Sequence, residues 1–185
     1  MRADAQKNYE HLLAIAREVV IEQGADASLR DIARRAEVGM GTLYRHFANR
    51  DALFEALLRD GFEALRSRAV TLERASASGD ALVAWLRELV ALAHALRGVI
   101  ALMVAAIDDP ESALHGACVA MKAAGTQLLV RAQGEGTARL DIDGADLFAL
   151  VGALAWVGDQ PALAPRADHL FNVIAGALLT APVPA

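Results

Sequence analysis

The sequence predicts an all-helical protein, and three observations predict it. Alanine and leucine, both strong helix formers, dominate a chain that is 55% hydrophobic but only 5% aromatic. No run of alternating β-branched residues marks out a strand. Apolar residues instead recur three and four apart, in segments punctuated by glycine, proline and aspartate. The expected architecture is an N-terminal three-helix domain, residues 1–50, followed by a larger helical domain, residues 51–185.

The first helix is expected from about Ala5 to Gln23. Tyr9, Leu12, Leu13, Ala16, Val19 and Val20 form one stripe there, and Gly24 supplies the stop. After a connector, Ser28 is a natural N-cap and Asp31 a short version of the capping-box acid. Leu29, Ile32, Ala33 and Ala36 give the second helix its apolar face. Glu37-Val38-Gly39 breaks the pattern, with Gly39 the residue free to take an unusual backbone conformation. A third helix of barely two turns, Met40 to Phe47, turns Leu43 and Phe47 inward. Asn49 caps a long helix reaching about Arg74, which Gly61 is expected to bend. Ser76 to Asp80 reads as a loop, Ala81 to Ala95 as a central helix apolar nearly all round, and Gly98 to Ile107 as another apolar segment. Pro110 is expected to open a helix from about Glu111 to Gln133. Thr137 to Asp143 is a polar connector before two last helices, about Ala145–Val157 and Ala164–Thr180.

The second and third helices, with their tight turn, have the helix-turn-helix pattern, in which the second helix of the pair enters a DNA major groove. Thr42, Tyr44, Arg45 and His46 crowd that short helix and leave it few apolar partners. Three runs of residues carry a family likeness: Ile32-Ala33-x-x-Ala36-x-Val38, Gly41-Thr42-Leu43-Tyr44-x-His46-Phe47, and Asn49-Arg50-x-x-Leu53. Through them, residues 10–56 resemble the N-terminal domain of the TetR-type transcriptional regulators, one-component repressors that release DNA on binding a small molecule. Two positions depart from the family pattern. Glu37 stands where a glycine usually ends the first helix of the pair, and Gly39 stands where a serine or threonine cap is common. The resemblance implies that Met40, Gly41, Tyr44 and Arg45 face bases, with Arg45 suited to a guanine edge and Tyr44 to a thymine methyl. It implies that Ser28, Thr42, His46 and Arg50 hold phosphates, and that Arg30 meets a base or a phosphate. His46 has a rival role in packing against the first helix.

Charge agrees with that placement. Residues 1–50 carry eight Lys and Arg against seven Asp and Glu, net +1, while residues 51–185 are net −6. Only the N-terminal part would tolerate a phosphate backbone. The single cysteine, Cys118, excludes an internal disulfide and fits a reducing cytoplasm. The N-terminus lacks the apolar core of a signal peptide, and the apolar stretch Leu89–Ile107 is broken by His94, Arg97 and Gly98, so no membrane partner is expected. No phosphate loop, nucleophile elbow or catalytic His/Asp/Glu set is present, so an enzyme is not expected. His94 and His115 are isolated, which suggests neither a metal nor a cofactor.

For the larger domain, the resemblance implies an apolar effector pocket; Phe62, Trp85, His94, Met103, Cys118 and Met121 are its candidates. The last two helices carry Leu147, Val151, Leu154, Leu170, Phe171, Ile174 and Leu178, more apolar surface than one side of a small domain uses. Those residues are the expected homodimer interface, as a four-helix bundle in which Gly152 and Ala155 let the backbones approach. The function expected is a DNA-binding regulator, a repressor freed from double-stranded operator DNA by a small-molecule effector. The alternative is a helix-turn-helix protein working as an interaction module, or as an activator without small-molecule control.

Overall fold

The computed structural model describes residues 2–180, with side chains from Gln6 onward. Nine α-helices make up most of those residues: α1 Arg2–Gln23, α2 Leu29–Arg35, α3 Met40–His46, α4 Arg50–Ala75, α5 Ser78–Ala95, α6 Arg97–Asp108, α7 Ala113–Gly134, α8 Gly144–Asp159 and α9 Ala167–Leu178. Short 3-10 turns at Gly24–Asp26 and Ala164–Arg166 precede α2 and α9. The chain divides into two compact units. Among the described residues, one takes in those up to Gly61 together with Ala95–Gly116, and the other Phe62–His94 and those from Ala117 to Thr180.

In the first unit, Leu12, Ala16 and Val19 of α1 are buried with Ile32, Ala33, Leu43 and Phe47, and with Leu53, Phe54 and Leu57 of α4. These are the apolar stripes of four helices, and α1, α2 and α3 close around them with the start of α4. The start of α6 packs on the 3-10 turn between α1 and α2. A Cβ on Gly98 would lie 3.1 Å from the Cβ of Ala25 and 3.2 Å from its backbone nitrogen, so a side chain there would require the two segments to shift apart by a few tenths of an ångström.

The second unit is built around Trp85. Its indole is fully buried and donates a hydrogen bond to the Leu65 carbonyl at 2.8 Å. Gly125 of α7 faces that ring so closely that a Cβ there would overlap it, and Phe148 meets the ring edge-on at 6.2 Å. The end of α9 is tied back to the connector after α7. Arg139 N donates to Leu178 O at 3.0 Å, Thr180 N donates to Thr137 O at 3.1 Å, and the hydroxyls of Ser78 and Thr137 meet at 2.8 Å.

Several local expectations are corrected. Helix α5 begins at Ser78, inside the expected loop. Pro110 does not start a helix: it occupies the second position of a turn closed by Ser112 N to Asp109 O at 2.9 Å. The Ser112 hydroxyl then accepts from Leu114 N at 3.1 Å, and α7 starts there. The Asp143 side chain accepts from Ala145 N and Asp146 N, completing a capping box with Asp146 at the start of α8.

Candidate nucleic-acid interface

Helix α2 starts after Ser28, whose backbone is extended but whose hydroxyl makes no capping bond. The expected capping box is absent because Asp31 is taken elsewhere. Its carboxylate accepts from Gln23 at 2.9 Å, from Arg35 at 3.1 Å and from Arg34, while Arg35 also reaches Glu22 at 2.6 Å. The hydrogen bond from Arg34 is the main reason the Asp31 carboxyl is held below its ordinary range, and that from Arg35 does the same for Glu22. Arg35, through Glu22, and Asp31, through Gln23, thereby fasten α1 to α2, and Arg34 is occupied by Asp31 within α2.

The turn differs from expectation in which residue carries the unusual backbone. Gly39 has φ −71° and ψ 150°, a conformation open to any residue. Glu37 has φ 56°, in the left-handed region. Val38 N bonds Ala33 O at 2.9 Å and Glu37 N bonds Arg34 O at 3.2 Å, the paired closure of a Schellman cap. Glutamate therefore holds the position that the cap geometry favours for glycine.

On α3, Leu43 is buried and Phe47 just beyond it is buried too. Gly41, Tyr44 and Arg45 are exposed, Tyr44 with half its surface, while Met40 and Thr42 are half-buried. Ser28 and Arg30 are exposed, and among the described residues neither Arg30 nor Arg45 makes an ion pair. His46 lies half-buried with its ring 6.1 Å from that of Tyr9, which also meets Phe47 at 5.3 Å. The rival packing role of His46 therefore has a partner in α1. Asn49 accepts from Ala52 N at 2.8 Å and caps α4 as expected. Arg50 is half-buried with its guanidinium 5.0 Å from the centre of the Phe54 ring. Its Nε and Nη2 are shut from solvent and have no hydrogen-bond partner among the described residues. Ser28, Arg30, Gly41, Tyr44 and Arg45 are thus accessible on the first unit, whereas Met40, Thr42, His46 and Arg50 are partly covered.

The effector candidates are more dispersed. Phe62, Trp85, Cys118 and Met121 are buried in the second unit, and Met103 is buried in the first. Trp85 packs directly on Gly125, so that part of the core is filled. Of the six, His94 alone lines the open-sided cavity of about 240 Å³ between α5, α8 and α9. Sequence reasoning passed over Arg87, which reads as an ordinary helix position, and assigned Leu154 and Phe171 to the dimer interface instead.

The dimer candidates need a correction. Leu147, Val151, Leu154, Phe171 and Leu178 are buried within the chain itself, and Leu170 and Ile174 are half-buried. Apart from Leu170, they line a thin seam of about 10 Å³ with Leu86 and Val90 of α5. Helix α8 is apolar on more than one face, and α5 takes the face its leucines occupy. Besides polar residues such as Asp146, Asp168 and Asn172, α8 and α9 leave in solvent a set of small residues around Trp156, 58% exposed, and Val173, 55% exposed. Ala149, Gly152 and Ala153 lie beside Trp156 at helical spacing, and Gly176 and Ala177 beside Val173. Among the described residues no single helix is long and apolar enough to cross a membrane.

Comparison with known proteins gives matches over both parts of the chain. The family described as bacterial regulatory proteins, tetR family, matches residues 12–57, and the SbtR-like transcriptional regulator C-terminal domain matches residues 77–178. A TetR transcriptional regulator from Streptomyces coelicolor shares 32% identity over 94% of this chain and 99% of its own, with a TM-score of 0.76. A TetR transcription regulatory protein from Mycobacterium vanbaalenii shares 34% identity over 97% of this chain and 99% of its own, with a TM-score of 0.74. A helix-turn-helix-type transcriptional regulator of Staphylococcus aureus (strain USA300) is 39% identical over 62 residues; the match spans 32% of this chain and only 34% of that relative.

Proposed function

Because this chain belongs to the TetR family of transcriptional regulators, we propose that it is a cytoplasmic repressor that holds operator DNA as a two-fold dimer and leaves it when a small molecule enters the second unit. Membership makes it a DNA-binding regulator and not an enzyme. Residues 1–50 serve DNA on this reading, and residues 51–185 serve the effector and the partner subunit.

The observation that carries the reading is the two-sidedness of α3: Leu43 is buried on one side, while Gly41, Tyr44 and Arg45 stand outward on the other. Arg45, unpaired and exposed, is suited to bidentate contact with a guanine edge, and Tyr44 to a thymine methyl. Gly41 lets the backbone come close to the bases, with Met40 beside it. Ser28, Thr42, His46 and Arg50 fix the register on phosphates, and Arg30 meets a base or a phosphate. Arg50 must turn out from Phe54 to do so, and a phosphate oxygen would then supply the partner its guanidinium lacks. A second copy joins through the outer face of α8 and α9, around Trp156 and Val173, which forms a four-helix bundle. Release needs a ligand that prefers one of two conformations. The seat of α6 against the α1–α2 turn, backbone to backbone at Gly98, gives such a preference a route to the reader helices.

Incubating the purified protein with fragmented genomic DNA and sequencing what it retains tests the reading. The expected product is an inverted repeat with half-sites one helical turn, about 34–36 Å, apart. Retention of fragments without a common sequence would overturn it.

A further inference from the structure

We propose that the cavity between α5, α8 and α9 binds a small, mainly apolar carboxylic acid, its carboxylate on Arg87 and its body against Val90, Leu154 and Phe171. The proposal rests on the reading of the chain as effector-controlled and names the chemistry of the effector.

The walls come from three stripes. Arg87, Val90, Ala91 and His94 lie at i, i+3, i+4 and i+7 of α5, opposite Leu154 and Gly158 of α8. Ala164, Ala167, Asp168 and Phe171 close the third side. At about 240 Å³ the space is below the roughly 300–1,000 Å³ of sites for drug-sized molecules, so the occupant is small. Six of the ten lining residues are apolar, which selects an apolar body.

Arg87, His94 and Asp168 are its polar side chains, and Arg87 and His94 differ in how firmly they are held. His94 pairs with Asp159 at 3.1 Å, and Gly158 leaves it room, since a Cβ there would come within 2.8 Å of the His94 Nδ1. Arg87 is fixed in orientation by the Phe171 ring, 4.1 Å below its guanidinium carbon, and by Asn172, which accepts from Nη2 at 2.6 Å. Its carboxylate partner is loose: Asp168 lies 3.4 Å from Nη1 with its side chain 96% exposed. A guanidinium stays charged at any physiological pH, and its planar fork matches a carboxylate in two places at once. A ligand carboxylate sheltered by the apolar walls would interact with it more strongly than Asp168 does in water. A cationic ligand would meet Arg87 as a like charge, and a neutral one would leave its fork unused.

The test is calorimetric titration of the purified protein with straight-chain, branched and aryl acids, hexanoate and hydrocinnamate among them, alongside the corresponding neutral amides. The acids should bind roughly tenfold or more tightly than the amides, as a charge-assisted bidentate pair requires. Arg87→Gln should abolish that preference and Arg87→Lys should retain part of it. Asp168→Asn, at an exposed position, should tighten the acids by removing their competitor. Equal binding of acid and amide, no binding of any acid, or weaker acid binding by Asp168→Asn would overturn the proposal. The same acids are then added to the protein on its retained DNA. Acid binding that leaves DNA occupancy unchanged would overturn effector control and leave the site standing. DNA release by another ligand that acts equally on Arg87→Gln would overturn the site and leave effector control standing.

Discussion

At the scale of single residues, the exposed and the occupied arginines of the reader have different fates. Arg45 has no ion pair among the described residues, whereas Arg34 and Arg35 are bound up with Asp31 and Glu22. Arg45→Ala should therefore cost about 1–3 kcal/mol on the cognate site and relax preference at one base pair, read by competition binding against single-base variants. Arg50→Ala should weaken all sequences about equally and lower the slope of log affinity against log salt by about one. Glu37 is the other instructive residue. A left-handed backbone costs a non-glycine residue roughly 1–2 kcal/mol, and glycine gives back about 0.5–1 kcal/mol in chain entropy. Glu37→Gly should thus stabilise the first unit by about 0.5–1 kcal/mol, visible in thermal unfolding. The sequence pointed to Gly39 for this conformation because glycine is the usual sign of it. The hydrogen bonds that fix the cap, Val38 to Ala33 and Glu37 to Arg34, fall where the family likeness places a helix-ending glycine, and only the glutamate at that position hid the conformation.

Between elements, the contacts that matter are short and specific. The junction of α1 and α2 is an ion-pair cluster of Glu22, Asp31, Arg34 and Arg35. Both carboxyls are held below their ordinary values of 4.5 for Glu22 and 3.8 for Asp31, chiefly by hydrogen bonds from arginine. Their contribution to stability is complete above those values and is lost as pH falls through the lower folded ones. Acid should consequently loosen the α1–α2 junction, and Asp31→Asn should remove most of that pH dependence; amide exchange in α2, followed from neutral pH downward, checks both. Since the groups are exposed, the effect should shrink with added salt. In the second unit the tight contact is α7 on α5, where Gly125 faces Trp85. Gly125→Ala overpacks that site and should destabilise the protein by about 1–3 kcal/mol in chemical denaturation. The periodicity that located α5 and α7 could not foresee this pairing, because a glycine in an alanine-rich helix looks like a gap and not like a socket.

For the whole molecule, the inner and outer sides of α3 were legible and those of α8 were not, for one physical reason. Helix α3 is short and mostly polar, so its two buried residues, Leu43 and Phe47, define an inside and by elimination an outside. Helix α8 is apolar almost all round, so spacing alone cannot separate the face its own subunit uses from the face left for another copy. The large leucines drew attention, yet they fill the subunit, and the outward residues are small ones around Trp156. Trp156→Glu with Val173→Asp should then give monomers that keep their fold and bind operator far more weakly, as judged by sedimentation and gel shift. Val151→Asp, inside the chain, should unfold the second unit instead of splitting a dimer. Gly98 has a consequence of a different kind, in how the gene can drift. Every missense change of a glycine codon adds atoms at the α-carbon, and here the added atoms meet the backbone of Ala25 within 3.2 Å. The gene therefore has no missense step at this codon that leaves the joint as it is. On the proposed mechanism, a genetic screen for cells locked in one transcriptional state should return this codon repeatedly.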